Sequence, residues 1–143
     1  MKNSILVDAG PLIALFDKDD LHHKSIKKFI SINNCQLVTT TAVITETSHM
    51  LDFNVQTQID FLKWISNKGV IIYDLHQKDI QRIIDLSTKY SDVPMDFADA
   101  TLVITAEQTG IRKIISIDSD FEIYRLLGKE KIENIFSNFI SNS

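Results

Sequence analysis

The sequence predicts an α/β fold, a three-layer α/β/α sandwich with a mainly parallel central sheet. Short apolar runs alternate along the chain with longer amphipathic stretches. Short continuous apolar runs are typical of strands that are buried on both faces, whereas apolar residues that recur every three or four positions indicate helices. Because strands and helices alternate, right-handed crossovers place helices on both faces of a parallel sheet.

Five apolar runs are predicted to be strands. They are Ile5–Val7, Gln36–Val38, Val70–Tyr73, Ile114–Ile117 and Ile132–Phe136.

Five stretches between these runs are predicted to be helices. They are Leu21–Asn33, Ala42–Phe53, Val55–Asn67, Asp79–Tyr90 and Asp96–Thr109. A threonine-rich entry can cap the second helix, and Gly69 and Gly110 end the third and the fifth. On the third helix, the side chains expected to face inward are Ile59, Phe61, Leu62 and Ile65.

The length and composition are those of one globular domain, residues 1–143, without repeats or linkers. The net charge is −4, from 19 acidic against 15 basic residues. That balance does not favour nucleic acid in general, so any contact with it requires a local basic patch.

The N-terminal apolar stretch does not indicate a membrane segment. It is too short to span a bilayer and is interrupted by Asp8. It also lacks the small-residue cleavage site of a signal peptide. The single cysteine, Cys35, excludes an internal disulfide, so we expect a cytoplasmic protein without membrane contact.

Four acidic residues stand in positions where this fold makes them notable. Asp8 directly follows the first predicted strand, and Asp118 follows the fourth. In open parallel sheets, ligands bind beyond the carboxyl ends of the strands. Asp99 lies on an otherwise apolar helix, and Glu46 has apolar neighbours in the sequence.

Each acid also has a purely structural interpretation. Asp8 can cap a helix that begins at Pro11, and Asp118 can cap a short helix through Phe121. Asp96 and Asp99 have the spacing of a capping pair, and Glu46 can face solvent. Gathered in one site, however, four carboxylates repel one another and need a compensating cation. Oxygen ligands favour hard divalent ions, and no His/Cys cluster suggests zinc.

Four segments together resemble the PIN-domain family, especially the toxins of VapBC-type toxin–antitoxin pairs. They cover nearly the whole chain in order and read VDAGPLIAL from Val7, TAVITE from Thr41, PMDFADA from Pro94 and ISIDSDF from Ile115.

The resemblance implies a catalytic site made of Asp8, Glu46, Asp99 and Asp118, with Asp8, Asp99 and Asp118 as metal ligands. Asp96 matches an additional acid of many members, and Ser116 stands where the family often has Ser or Thr. Asp120 lies two residues after Asp118, and we favour Asp118 as the fourth acid because of its distance from the strand.

The implied activity is endonucleolytic hydrolysis of RNA with Mg²⁺ or Mn²⁺, by the toxin of a toxin–antitoxin pair. The implied partners are an antitoxin protein and a second copy of the chain in a homodimer. Lysines near the first crossover are candidates to contact RNA phosphates, with a solvated helix face as the alternative. They are Lys18, Lys24, Lys27 and Lys28.

Other functions remain as alternatives. A non-catalytic PIN-like interaction module would keep the fold without activity. A metal-dependent phosphatase or a DNA nuclease would also use aspartates at strand ends. Nuclease assays with and without EDTA distinguish these possibilities.

Overall fold

The computed structural model describes residues 3–93 and 95–141, so that Pro94 of the third matching segment lies outside the described residues. Within this range the strands form one five-stranded sheet in the order β3-β2-β1-β4-β5, with every pair parallel. The strands are β1 Ser4–Val7, β2 Gln36–Thr39, β3 Ile71–Ile72, β4 Lys113–Ile115 and β5 Glu133–Asn134. The predicted α/β fold with a parallel sheet is confirmed.

Seven α-helices accompany the sheet in the described ranges. They are α1 Ala9–Phe16, α2 His23–Ile32, α3 Thr41–Met50, α4 Val55–Ser66, α5 Ile80–Lys89, α6 Phe97–Thr109 and α7 Ile135–Ser141. Thr40 caps α3, because its Oγ1 accepts a hydrogen bond from Val43 N at 3.4 Å. Gly110 ends α6 with a positive φ of 83°, which glycine adopts without a Cβ penalty.

β1 is the central strand and lies between β2 and β4. Leu6 pairs with Val38 on one side and with Ile114 on the other. All three side chains are buried, as expected for parallel strands covered on both faces. Because β1 and β4 are parallel neighbours, their carboxyl ends lie side by side, which brings the residues that follow them together.

α6 is a core helix rather than an amphipathic surface helix. Every residue from Ala98 to Ala106 is buried. Asp96 caps α6. In the second turn of α6, the hydroxyl of Thr101 forms a hydrogen bond of 2.8 Å with the hydroxyl of Thr40, the residue that caps α3. This contact holds the N-terminal ends of α3 and α6 close to each other.

Several element boundaries differ from the prediction by one to three residues, and two of the differences involve residues that begin a helix. α1 begins at Ala9, not at Pro11, because Asp8 Oδ1 accepts a hydrogen bond from Ala9 N. The last predicted strand is shorter than expected, since β5 stops at Asn134. The Oδ1 of Asn134 accepts hydrogen bonds from Phe136 N and Ser137 N, and so starts α7.

On α4, two of the four side chains expected to face inward do not. Phe61 is fully buried and Ile65 is half-buried, but Ile59 and Leu62 are exposed. The ring of Phe61 packs against Phe16 at 5.4 Å between centroids, and this contact turns the opposite face of the helix to solvent.

None of the helices in residues 3–93 and 95–141 combines the length and the apolar content that a membrane crossing requires.

Candidate active site

An acidic cavity of about 250 Å³ lies at the carboxyl ends of β1 and β4. The six carboxylates that line this cavity are Asp8, Glu46, Asp96, Asp99, Asp118 and Asp120. Four other residues complete its wall, and no Lys, Arg or His is among the described residues that line it. The structure therefore brings together all four predicted catalytic acids, and both candidates for the fourth acid reach the cavity.

Asp8 combines the capping role and the site role that the sequence left as alternatives. Its Oδ1 accepts a hydrogen bond from Ala9 N at 2.8 Å, so that it caps α1. Its Oδ2 accepts a hydrogen bond from Ser116 Oγ at 3.2 Å. With 6 % of its surface exposed, the side chain is fixed at the floor of the cavity.

Ser116 links two of the acids. Its hydroxyl lies 3.2 Å from Asp8 Oδ2 and 3.4 Å from Asp118 Oδ1. Because a hydroxyl has one hydrogen, it donates to one carboxylate at a time. Asn134 holds the Ser116 backbone on both sides, accepting from its N–H at 3.3 Å and donating to its carbonyl at 3.0 Å.

Asp99 is held from two directions at the start of α6. Its backbone N–H donates to Asp96 Oδ1 at 2.8 Å, so Asp96 is the helix cap. Its own Oδ2 accepts a hydrogen bond from the hydroxyl of Tyr124 at 3.0 Å. Tyr124 is itself buried, and Asp99 is only 8 % exposed. A carboxylate buried at this depth is costly unless something compensates its charge.

The remaining acids are more accessible. Glu46 is exposed on α3, and Asp118 is exposed after β4. Asp118 Oδ1 accepts a hydrogen bond from Asp120 N at 3.0 Å, which turns the chain and brings Asp120 to the same cavity.

Burial and mutual repulsion raise the pKa of the deepest acids. The pKa of Asp8 rises to about 7, mainly through burial, with the charges of Asp118 and Glu46 adding to it against the opposing hydrogen bond from Ala9. The pKa of Asp99 rises to about 8, again mainly through burial, with repulsion from Asp8 and Asp96 next. These shifts mean that burial and neighbouring carboxylates disfavour the charged forms of Asp8 and Asp99.

Burial and neighbouring carboxylates also raise the pKa of Glu46 and that of Asp120. Burial, and then the neighbouring charge and hydrogen bond of Asp99, raise the pKa of the Tyr124 hydroxyl, so it stays protonated and donates to the carboxylate.

The donor set of the cavity fits a hard divalent cation bound partly through water. Among residues 3–93 and 95–141, no three His, Cys, Asp or Glu side chains are arranged closely enough to hold an ion directly. Mg²⁺ is usually held by only one or two carboxylates and keeps several waters. Since each water occupies about 30 Å³, the cavity has room for an ion with part of its hydration shell.

The four lysines predicted to contact RNA lie elsewhere. All four are exposed, but none of them lines the acidic cavity. Lys18 follows the C-terminal end of α1, whereas Asp8 caps the N-terminal end of that helix. The other three lysines lie on α2. Any contact they make with RNA is therefore at a distance from the acids.

Tyr124 and Asn134 belong to the site but were missed by sequence reasoning. Tyr124 lies in the irregular segment between β4 and β5, where no periodic pattern marks it. Asn134 carried a weak signal, because it is a polar residue inside the predicted last strand, at a level of the sheet close to Ser116.

Comparison with known proteins agrees with this geometry. The protein Ribonuclease VapC26 of Mycobacterium tuberculosis is 22 % identical over 116 residues, which cover 80 % of this chain and 86 % of that protein. The crystal structure of VapC20 of Mycobacterium tuberculosis, a sarcin-ricin loop cleaving toxin, is similar in fold with a TM-score of 0.77. That match has 17 % identity and covers 89 % of this chain and 98 % of the other, so it establishes the fold. The family model of the PIN domain matches residues 5–126, and the chain therefore belongs to the PIN domain family.

Proposed function

We propose that the chain is a metal-dependent endoribonuclease that acts as the toxin of a toxin–antitoxin pair. The observation that carries the proposal is a cavity lined by six carboxylates and, among the described residues, by no basic side chain, with Asp8 and Asp99 buried at its floor. Membership of the PIN domain family and a relative named as a ribonuclease support the same activity.

Asp8, Asp99 and Asp118 are the proposed ligands of Mg²⁺ or Mn²⁺, with at least one of the three binding the ion through a water. Such an ion, when bound, lowers the pKa of a water and stabilises the charge that develops on the attacked phosphate. Glu46, an exposed acid on α3, is suited to orient the attacking water or to complete the ligand set.

The neighbouring residues position these ligands. Asp96 holds the backbone of Asp99, and Tyr124 holds its side chain. The Ser116 hydroxyl lies within hydrogen-bonding distance of the carboxylates of Asp8 and Asp118 and so holds them toward the same cavity. Residues that hydrogen-bond to metal ligands in this way tune the affinity for the metal.

The RNA is proposed to bind through a single-stranded segment or a loop, where bases are accessible. The exposed lysines Lys18, Lys24, Lys27 and Lys28 are the proposed phosphate contacts outside the cavity. An RNA substrate also fits the cytoplasmic location expected from the sequence.

The proposed protein partners are an antitoxin and, in a homodimer, a second copy of the chain. Exposed apolar side chains on α4, namely Val55, Ile59 and Leu62, offer a surface that a protein partner would bury. Light scattering of the purified chain tests the dimer directly.

Nuclease assays test the catalytic proposal. The purified chain is incubated with labelled single-stranded RNA and, separately, with single-stranded DNA, in Mg²⁺, Mn²⁺ or EDTA. We expect RNA cleavage that EDTA abolishes and that Asp8→Asn lacks. Asp52→Asn is the matched control, because Asp52 is an exposed acid outside the cavity.

Three outcomes would contradict the proposal. Equal cleavage in EDTA would exclude a metal-dependent site, and preference for DNA would make the chain a DNA nuclease. Absence of cleavage for every substrate would favour the non-catalytic interaction module.

A further inference from the structure

A groove continues from the acidic cavity over α3 and the N-terminus of α6. Its first part is a cavity of about 440 Å³ that shares Glu46 and Asp96 with the acidic cavity. The groove then continues into a cavity of about 310 Å³, which shares Ala42, Thr45 and Phe97 with the first. A ligand whose reacting group sits among the acids therefore has a continuous path along this groove.

Phe97 forms part of the wall in both parts of the groove. Its side chain is 54 % exposed, although the helix that it begins is buried from Ala98 to Ala106. Asp96, not Phe97, caps that helix, and no aromatic pair is formed by the Phe97 ring among the described residues. The fold therefore leaves a large flat apolar surface open beside the acids.

The rest of the wall consists of small side chains and hydrogen-bond acceptors. Ala42 and Ala98 leave space facing Phe97. Thr45 Oγ1 donates its hydrogen to Thr41 O, which leaves the lone pairs of the hydroxyl free to accept. Carboxylates of Glu46 and, further along, Asp74 complete the rim, and no Lys, Arg or His lines either part among the described residues.

The aromatic ring and the hydrogen-bond acceptors of the groove determine which ligands it can bind. Outside the proposed metal site, no basic side chain among the described residues offsets the acidic rim, so the groove itself repels the phosphates of a nucleic acid. A neutral planar ring fits, because it can stack on Phe97 and donate N–H groups to the acceptors. Nucleobases stack on aromatic side chains in this way, and adenine, cytosine and guanine carry exocyclic amino groups that uracil lacks.

We propose that the groove is a nucleobase subsite in which Phe97 stacks on the base next to the scissile phosphate, with a preference for bases that carry an exocyclic amino group. This assignment rests on the proposed ribonuclease function, since it takes the acidic cavity as the place where the phosphate is attacked. It makes Phe97 a residue that determines which sequence is cut, separate from the acids that perform the cut.

Cleavage of a pool of short single-stranded RNAs of randomised sequence, with the cut positions mapped, tests the subsite. The wild-type chain should favour A, C or G over U at one position beside the cut. Phe97→Ala should remove that preference and lower kcat/KM by about 5- to 150-fold, the range that corresponds to one stacked base. Phe97→Trp should retain both, because indole offers a larger stacking face.

Phe53→Ala is the matched control. Phe53 is another exposed phenylalanine, at 59 %, and it lines neither part of the groove. Its loss should leave the base profile and the rate unchanged. Circular dichroism of each variant checks that the fold is intact.

A second measurement needs no cleavage. Adenosine, cytidine and uridine are titrated into the wild-type chain and into Phe97→Ala while amide NMR signals around Phe97 are followed. The first two nucleosides should shift those signals more than uridine does, and Phe97→Ala should lose the response.

The two measurements separate the subsite from the proposed function. RNA cleavage with an unchanged base profile in Phe97→Ala would overturn the subsite and leave the ribonuclease proposal standing. Nucleoside binding at Phe97 without any RNA cleavage would support the subsite and contradict the ribonuclease. If Phe97→Ala weakens only the binding of a purified protein partner, the groove accepts a protein segment and the nucleobase proposal is wrong.

Discussion

Replacing Asp99 by Asn should stabilise the chain when no metal is present. In the unfolded chain an aspartate titrates near pH 3.9, whereas in the folded protein the pKa of Asp99 is about 8. A raised pKa means that the folded state binds the proton more tightly. The stability linked to Asp99 is therefore complete below about pH 4 and is lost as the pH rises through about 8.

The structure sets the size of this effect. At pH 7 the solution is about three pH units above the unfolded-state pKa, and each unit corresponds to about 1.4 kcal/mol, so the penalty has a ceiling of about 4 kcal/mol. Asn avoids this penalty and can still accept the hydrogen bond from Tyr124. A carboxyl group with a pKa of about 8 is mostly protonated at pH 7, so the replacement removes little favourable charge from the start of α6. We expect a net gain of about 1–3 kcal/mol, or about 3–5 °C in Tm per kcal/mol for a chain of this length.

Thermal melts in EDTA measure the stability of the metal-free chain, and melts in millimolar Mg²⁺ measure how much the ion adds to it. In EDTA, Asp99→Asn should melt above wild type. Mg²⁺ should raise the wild-type Tm, because a ligand at 100 times its Kd stabilises the folded state by about 2.7 kcal/mol. The variant should gain less. Asp52→Asn, which removes an exposed acid outside the cavity, should melt like wild type in both conditions.

Two results would refute the reasoning. An Asp99→Asn variant that melts at or below wild type in EDTA at neutral pH would mean that carboxylate crowding does not destabilise this cavity. An equal Mg²⁺ shift in both proteins would mean that Asp99 is not part of a metal site.

The remaining predictions concern the same acids. Asp8→Asn and Asp99→Asn should each abolish metal-dependent RNA cleavage while circular dichroism stays unchanged; cleavage at the wild-type rate by either would remove it from the site. Asp118→Ala should lower the cleavage rate much more than Asp120→Ala, and the reverse order would make Asp120 the fourth acid. The Tm of the metal-free wild type should fall as the pH rises from about 5 to about 9, because ionisation of Asp8 and Asp99 is resisted only in the folded state; a Tm that is flat or rises over this range would contradict the raised pKa values.

The order of strands and helices was predictable because each element leaves its own pattern of apolar and capping residues in the sequence. Buried parallel strands need continuous apolar runs, and Leu6 and Ile114 lie in such runs. Thr40 could be expected as a helix cap because its hydroxyl satisfies a backbone N–H within the next turn. Side-chain orientation on α4 was harder to predict, since the apolar residues Ile59 and Leu62 satisfy a helical pattern without having any layer to pack against.

The acids themselves were predictable from their place relative to the strands and from the resemblance of the surrounding segments. Their partners were not, because Tyr124 and Asp99 are 25 residues apart, and Asn134 and Ser116 are 18 apart. Hydrogen bonds at such separations exist only once the packing of strands and helices has set the distance between their ends.

The sequence by itself determined the parallel α/β fold and the set of acids that follow its strands, because strand and helix patterns are local and the carboxyl ends of parallel strands meet at one edge. Only the tertiary structure decided that Asp118 and Asp120 both reach the cavity, that the lysines do not line it, and that Phe97 stands open beside it. These features depend on the turn after β4, on the direction of α1 and on the contact between α3 and α6. Each of them places a residue relative to a cavity that distant segments build together, which no local pattern of residues encodes.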